Sequence, residues 1–164
     1  MPEIPIALQP PDPAIPIRPV RLSDSESLYA SCWSTRPFIT VYNLINHIQH
    51  YNHEKRGLGV VVVDDADKAV AYGQFVMWPS AGELSDLVVA PHLRGQGYGT
   101  AIIQHLVGAA RAQGVRRMEI GATLDNVRAA ALYRRLGFSD DHTVSLNLGS
   151  GKQEVLFLSL DLQP

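Results

Sequence analysis

Residues 87–100 read Leu87-Val88-Val89-Ala90-Pro91-His92-Leu93-Arg94-Gly95-Gln96-Gly97-Tyr98-Gly99-Thr100. The aliphatic run stops at Ala90-Pro91, because a residue before proline is biased toward extended backbone. After the glycines, Ile102, Ile103, Leu106, Val107 and Ala110 form one apolar helical stripe. A strand, a glycine loop and a helix in that order make a phosphate cradle. Alternate glycines allow positive φ and close backbone approach, and the helix N-terminus offers unpaired N–H groups and its positive dipole end. The spacing G-x-G-x-G after an arginine departs from the dinucleotide fingerprint. Gly149-Ser150-Gly151-Lys152 is no P-loop, since Leu146 stands where the first glycine belongs and Gln153 replaces the Ser/Thr. It reads as a hairpin turn.

Working outward, Glu83 to Val89 is a strand, and the helix runs from Gly97 to Gln113, ended by Gly114. Arg117 to Thr123 is the next strand, and Asn126 to Leu136 is a helix stopped by Gly137. Two strands, Asp141 to Leu148 and Gln153 to Leu162, complete the chain. Upstream, Gly59 to Val63 and Ala69 to Trp78 form a hairpin, and Ile15 to Leu22 is an edge strand. Ser23 and Glu26 have capping-box spacing for a helix running on to Trp33. Val41, Leu44, Ile45 and Ile48 mark a second helix over Pro37 to Tyr51. The order β αα βββ α β α ββ mixes hairpins with two crossovers. It predicts an α/β (mixed α+β) domain built on a single, mostly antiparallel sheet of about seven strands, with helices on both faces. Residues 1–14, rich in proline, are expected as an extended arm, and 15–164 as one domain.

The 164 residues carry 46% hydrophobic side chains, enough for one buried core, and no apolar run long enough to span a membrane. Met1 to Ile15 holds five prolines and neither Lys nor Arg, unlike a secretory signal. The single Cys32 allows no internal disulfide and no multi-cysteine zinc site. These features predict a cytoplasmic protein. The net charge of −2 argues against a nucleic-acid partner. Yet from Arg94 to Arg135 seven arginines face only Glu119 and Asp125, a balance of +5 in a chain that otherwise carries −7. Such a block suits an anionic ligand or a solvated helix face.

Arg94, Gly97 and Gly99, with the strand 87–93 before them, resemble the hallmark loop of the GNAT superfamily of acetyl-CoA-dependent N-acetyltransferases. Asp125-Asn126 followed by Ala130, Leu132, Tyr133, Leu136, Gly137 and Phe138 resembles that family's later helix with its "LGF" ending. The resemblance implies a sheet splayed between strands 83–89 and 117–123, with acetyl-CoA wedged in the gap. Its pantetheine arm would pair with the backbone of Leu87, Val88 and Val89. Its pyrophosphate would rest on the amides of Gly95, Gln96, Gly97, Tyr98, Gly99 and Thr100, with Arg94 and nearby arginines screening the phosphates. Asn126 would bond the pantetheine arm, or simply cap its helix. Tyr133 would lie near the sulfur and protonate the departing thiolate, against the plainer reading of a packed aromatic.

For the base the resemblance implies Glu83, with Asp86 second and ordered water as the alternative. Strand alternation places these two carboxylates on opposite faces. The backbone N–H of Val89 would polarise the acetyl carbonyl. Tyr29, Trp33 and Tyr42, on the first two helices, would line the acceptor pocket or pack in the core. His47, His50 and His53 lack a nearby carboxylate pair, so no metal is expected, and Cys32 reads as a small core residue rather than an acyl-carrying nucleophile. The implied activity is direct transfer to a primary amine in a ternary complex. A non-catalytic acyl-CoA-binding regulator or sensor is the alternative, and a structural subunit docking through its proline-rich arm a third. Homodimers are common in the family, though no residue here sets an assembly state.

Overall fold

The computed structural model describes residues 3–163. Seven strands form one sheet: β1 (Ile17–Pro19), β2 (Gly57–Val63), β3 (Ala69–Met77), β4 (Gly82–Val89), β5 (Arg117–Thr123), β6 (Ser139–Asn147) and β7 (Lys152–Asp161). Their spatial order is β1-β2-β3-β4-β5-β7-β6. Every neighbouring pair is antiparallel except β4 and β5, which run parallel. The helices are α1 (Ser25–Cys32), α2 (Phe38–His53), α3 (Tyr98–Ala112) and α4 (Val127–Leu136). The expected element order holds, and β5 spans the expected residues.

Two cores follow from the two faces. Leu28 of α1, Trp33 just after it, and Val41, Ile45 and Ile48 of α2 pack on Val61, Tyr72 and Val76. On the other face Ile102, Ile103 and Leu106 of α3 and Ala130, Tyr133 and Leu136 of α4 share one cluster with Phe75, Leu84, Met118 and Ile120. Gly73 lets α3 come close, since a Cβ there would meet Ile102 Cγ2 at 2.5 Å.

Two expectations are corrected. The Ser23–Glu26 capping box does not form. A 3-10 turn over Leu22–Asp24 leads into α1 instead, and the Asp24 carboxylate accepts the Arg21 N–H at 2.7 Å and two N–H groups of Arg18 at 2.8 Å each. The Arg18 guanidinium, reaching in from β1, makes Asp24 the better acceptor. The proline-rich start is also not extended throughout, although Met1 and Pro2 lie outside the described residues. Ile6–Leu8 forms a 3-10 turn with Ala7 at 0% exposure, and Gln104 Nε2 of α3 donates to the Ile6 carbonyl at 3.0 Å. Pro5 packs on Gly137 so closely that a Cβ there would lie 2.5 Å from the proline ring.

Candidate functional site

The parallel pairing of β4 and β5 lasts three rungs: Gly82 with Met118, Glu83 with Glu119, and Leu84 with Ile120. Beyond them the strands part. β4 stays bonded to β3 as far as Val89, and β5 stays bonded to β7 as far as Thr123. One backbone edge of residues 85–89 therefore lacks a strand partner. The divergence coincides with a bulge, where the pairing with β3 steps from Gln74–Ser85 to Tyr72–Val88 and Asp86 takes φ +56°. An extra residue on one strand bends it and increases its twist, and aspartate is among the few side chains that tolerate this backbone region.

The bulge corrects the expectation that Glu83 and Asp86 lie on opposite faces. Leu84 and Leu87, three residues apart, both join the α3 core, while Val88 joins the α1/α2 core. Alternation has slipped by one, so Asp86 falls on the α1/α2 side with Glu83. Its charge is felt there by Glu83 and by Tyr72. Burial, and then the charges of Glu119 and Asp86, push the Glu83 carboxyl above its ordinary value. Asp86 is reached by solvent yet surrounded by protein, as on a cleft floor, and burial raises its carboxyl against the opposing pull of Ser85 and Arg36. A carboxylate whose pKa is raised is a stronger base.

At the far end of β4 a 3-10 turn, Pro91–Leu93, leads to Gly95 at φ +79° and Gly97 at φ +85°, directly before α3. No atom lies within 4 Å of a Cβ placed on either glycine, so the left-handed backbone, not crowding, calls for glycine there. Gly99 differs from the expected pattern. It sits inside the first turn with an ordinary φ, and a Cβ there would meet only Leu87 and Val89 at 3.9 and 4.0 Å. The loop and the free edge of β4 are thus adjacent. No side chain caps α3, and its first helical bond runs from the Ala101 N–H to Gly97, so the amides of Tyr98, Gly99 and Thr100 point outward unpaired. Arg94 is exposed and forms no ion pair among the described residues.

On the β5 side, Asn126 caps α4 by accepting the Ala129 N–H at 3.2 Å, which leaves its amide donors free. Tyr133 is 7% exposed and packs edge-on against Phe138 at 6.5 Å. Burial raises its phenol, which keeps it protonated at neutral pH. Its hydroxyl makes no hydrogen bond among the described residues, where no fully occluded side-chain polar atom lacks a partner, so it meets open space.

The three aromatic residues expected at an acceptor pocket diverge. Trp33, 5% exposed, belongs to the core, edge-on to Tyr72 at 5.6 Å with Arg36 over its ring at 5.0 Å. Tyr29 is partly buried beside Phe38 at 5.7 Å, and Tyr42 is 36% exposed. Phe38, 40% exposed between them, escaped the sequence reading for want of any periodic signal. Glu119 also escaped it, because only the register of a parallel pair sets it beside Glu83. Cys32 is held near the Val70 carbonyl and burial raises its thiol, which leaves little thiolate for nucleophilic attack. A groove of about 660 Å³ lies between α1 and the β2–β3 turn, lined by Arg18, Asp24, Asp67 and Lys68 among others. It contains none of these groups. Among the described residues no helix is long and apolar enough to cross a membrane.

The sequence profile of the Acetyltransferase (GNAT) family matches residues 21–138. The chain belongs to the GNAT acetyltransferase family. It is 37% identical over 81 residues to mycothiol acetyltransferase of Beutenbergia cavernae, covering 48% of this chain and 27% of that protein. With streptothricin acetyltransferase of Streptomyces lavendulae it shares 30% identity over 105 residues, 62% of this chain and 56% of that one. The chain thus spans about a quarter to a half of the length of the curated relatives it matches. Among solved structures it superposes on a phosphinothricin acetyltransferase from Sinorhizobium meliloti in complex with AcCoA, with TM-score 0.73, 19% identity and coverage of 90% and 88%. It superposes likewise on ribosomal-protein-alanine N-acetyltransferase from Brucella melitensis, with TM-score 0.74, 22% identity and coverage of 90% and 100%. These two likenesses are of fold.

Proposed function

We propose that the chain is an N-acetyltransferase that moves an acetyl group from acetyl-CoA directly to a primary amine of a small molecule or peptide. The observation that carries this reading is the unpaired β4 edge at residues 85–89, running into the uncapped N-terminus of α3. An extended, amide-bearing chain that ends in a pyrophosphate needs both features: a strand edge to pair with, and clustered N–H donors for the phosphates. When bound, acetyl-CoA supplies an activated thioester. The backbone of Leu87, Val88 and Val89 would hold the arm, and the Val89 N–H would polarise the acetyl carbonyl. The amides of Gly95, Gln96, Gly97, Tyr98, Gly99 and Thr100, with Arg94, take the phosphates. The donors of Asn126 steady the arm from the β5 side. Glu83, with Asp86 beside it, draws the proton from the ammonium group, and the Tyr133 phenol gives a proton to the thiolate. Tyr29 and Tyr42 shape the acceptor entrance.

The test is release of free coenzyme A thiol from acetyl-CoA against a panel of amines that includes streptothricin, phosphinothricin and peptides beginning with alanine. Tyr133→Phe should lower kcat by about 10²-fold with little change in acetyl-CoA affinity. Binding of acetyl-CoA by calorimetry without turnover on any amine would favour the sensor reading, and absence of binding would end both.

A further inference from the structure

Glu119 is the register partner of Glu83 on the second of the three β4–β5 rungs. Met118, Ile120 and Ala122 point into the α3/α4 core, so Glu119 faces the other way, on the side where Glu83 stands. Neighbouring strands lie about 4.8 Å apart, which brings the two carboxylates close. Glu119 is not loose. Arg117 Nη2 lies 3.3 Å from its carboxylate and 2.6 Å from Asp141, and Asp141 accepts from His142 Nδ1 at 2.9 Å. The His142 ring in turn stacks on Phe157 at 5.2 Å. This chain of charges crosses from β4 to β6 on the side of the sheet where α1 and α2 pack on β2 and β3, and its members are partly exposed. It therefore adds little to stability.

We infer that Glu119, held in place by Arg117 and Asp141, is a positioning residue that sets the basicity of Glu83. The inference rests on reading Glu83 as the base. A second negative charge beside a carboxylate disfavours its ionised form, and a cation beyond that charge limits the effect. The other charged group acting on Glu83 is Asp86 on its own strand, which Arg36 from the α1–α2 connection opposes in turn; from β3, Glu83 pairs with the neutral Val76, and Gln74 lies across from Ser85. Glu119 and Arg117 are thus opposed controls on one proton site.

The two should move the acidic limb of the kcat/KM profile in opposite directions. Glu119→Gln removes the like charge, so the limb shifts to lower pH and kcat falls roughly three- to tenfold as the base weakens. Arg117→Met removes the screening cation, so the limb shifts to higher pH, and Arg117→Lys returns it. A purely structural role would shift neither limb, or both the same way. The ¹³C shift of the Glu83 carboxyl, followed by NMR in the full chain, reports its ionisation independently of turnover. Opposite displacement of both titration and limb upholds the inference. An unmoved Glu83 titration overturns the coupling. A moved titration with an unmoved limb shows that Glu83 is not the base, which overturns the positioning role while leaving the electrostatic contact in place.

Discussion

The two halves of the sheet are built differently. In β3, eight consecutive residues from Ala69 are buried, because α1 and α2 cover one face and α3 the other. In β5 only every second residue is buried, and β6 is exposed along most of its length. The first half is a packed slab, and the second is a sheet with α4 on one side and a polar surface on the other. Three parallel rungs join them. A junction with so few bonds lets the strands diverge, and the candidate site lies where they do. The packed half holds the glycine loop and the carboxylates of β4, and the open half brings Glu119 and Tyr133.

The contrast is broken most directly by equal truncations. Phe75→Ala, in the doubly covered half at 0% exposure, should cost about 3–5 kcal/mol in urea melts. Phe157→Ala, on the open face of β7, should cost about 1 kcal/mol. Similar losses at both positions would mean that the halves are equally packed. Next in size is Arg18→Met, which leaves the Asp24 carboxylate, 5% exposed, without its cation and should cost about 3 kcal/mol. If the melt were unchanged, Asp24 would have to be satisfied by the Arg21 N–H alone.

The smallest expected effect sharpens the comparison at the junction itself. The Glu83 carboxyl is harder to ionise folded than unfolded, so from its ordinary value of 4.5 upward the folded form keeps the extra proton. Stability contributed at this position falls as pH rises through that window. Glu83→Gln should therefore raise Tm slightly at pH 7, match the native chain at pH 4, and lose most activity. A variant less stable at pH 7 would show Glu83 to be a favourable ion-pair partner instead.

Much of this was legible from local chemistry. The proline after Ala90, the glycines of the loop and the apolar stripe of α3 each act within a few residues, so the cradle could be read before any fold was known. Gly114 and Gly137 end their helices at φ +88° and +113°, as their positions suggested. Other features depend on partners distant in sequence. Ser23 and Glu26 had the right spacing, but Arg18 from β1 selected Asp24. The prolines of the first residues suggested an extended arm, yet Ile6–Leu8 turns and Ala7 is buried because α3 and α4 together offer it a groove. Trp33 could be read as a pocket residue or a core residue, and its packing against Tyr72 and Arg36 decides for the core.

Short-range rules, the steric limits of proline and glycine and the periodicity of apolar residues, are carried by neighbours along the chain, so the order of elements and the glycine loop before α3 are inscribed in the sequence. The meeting of Glu83, Asp86 and Glu119 is not. It needs a bulge that breaks alternation and a parallel register between strands 36 residues apart at that rung. Both are properties of strand pairing, settled only when the two halves of the sheet pack.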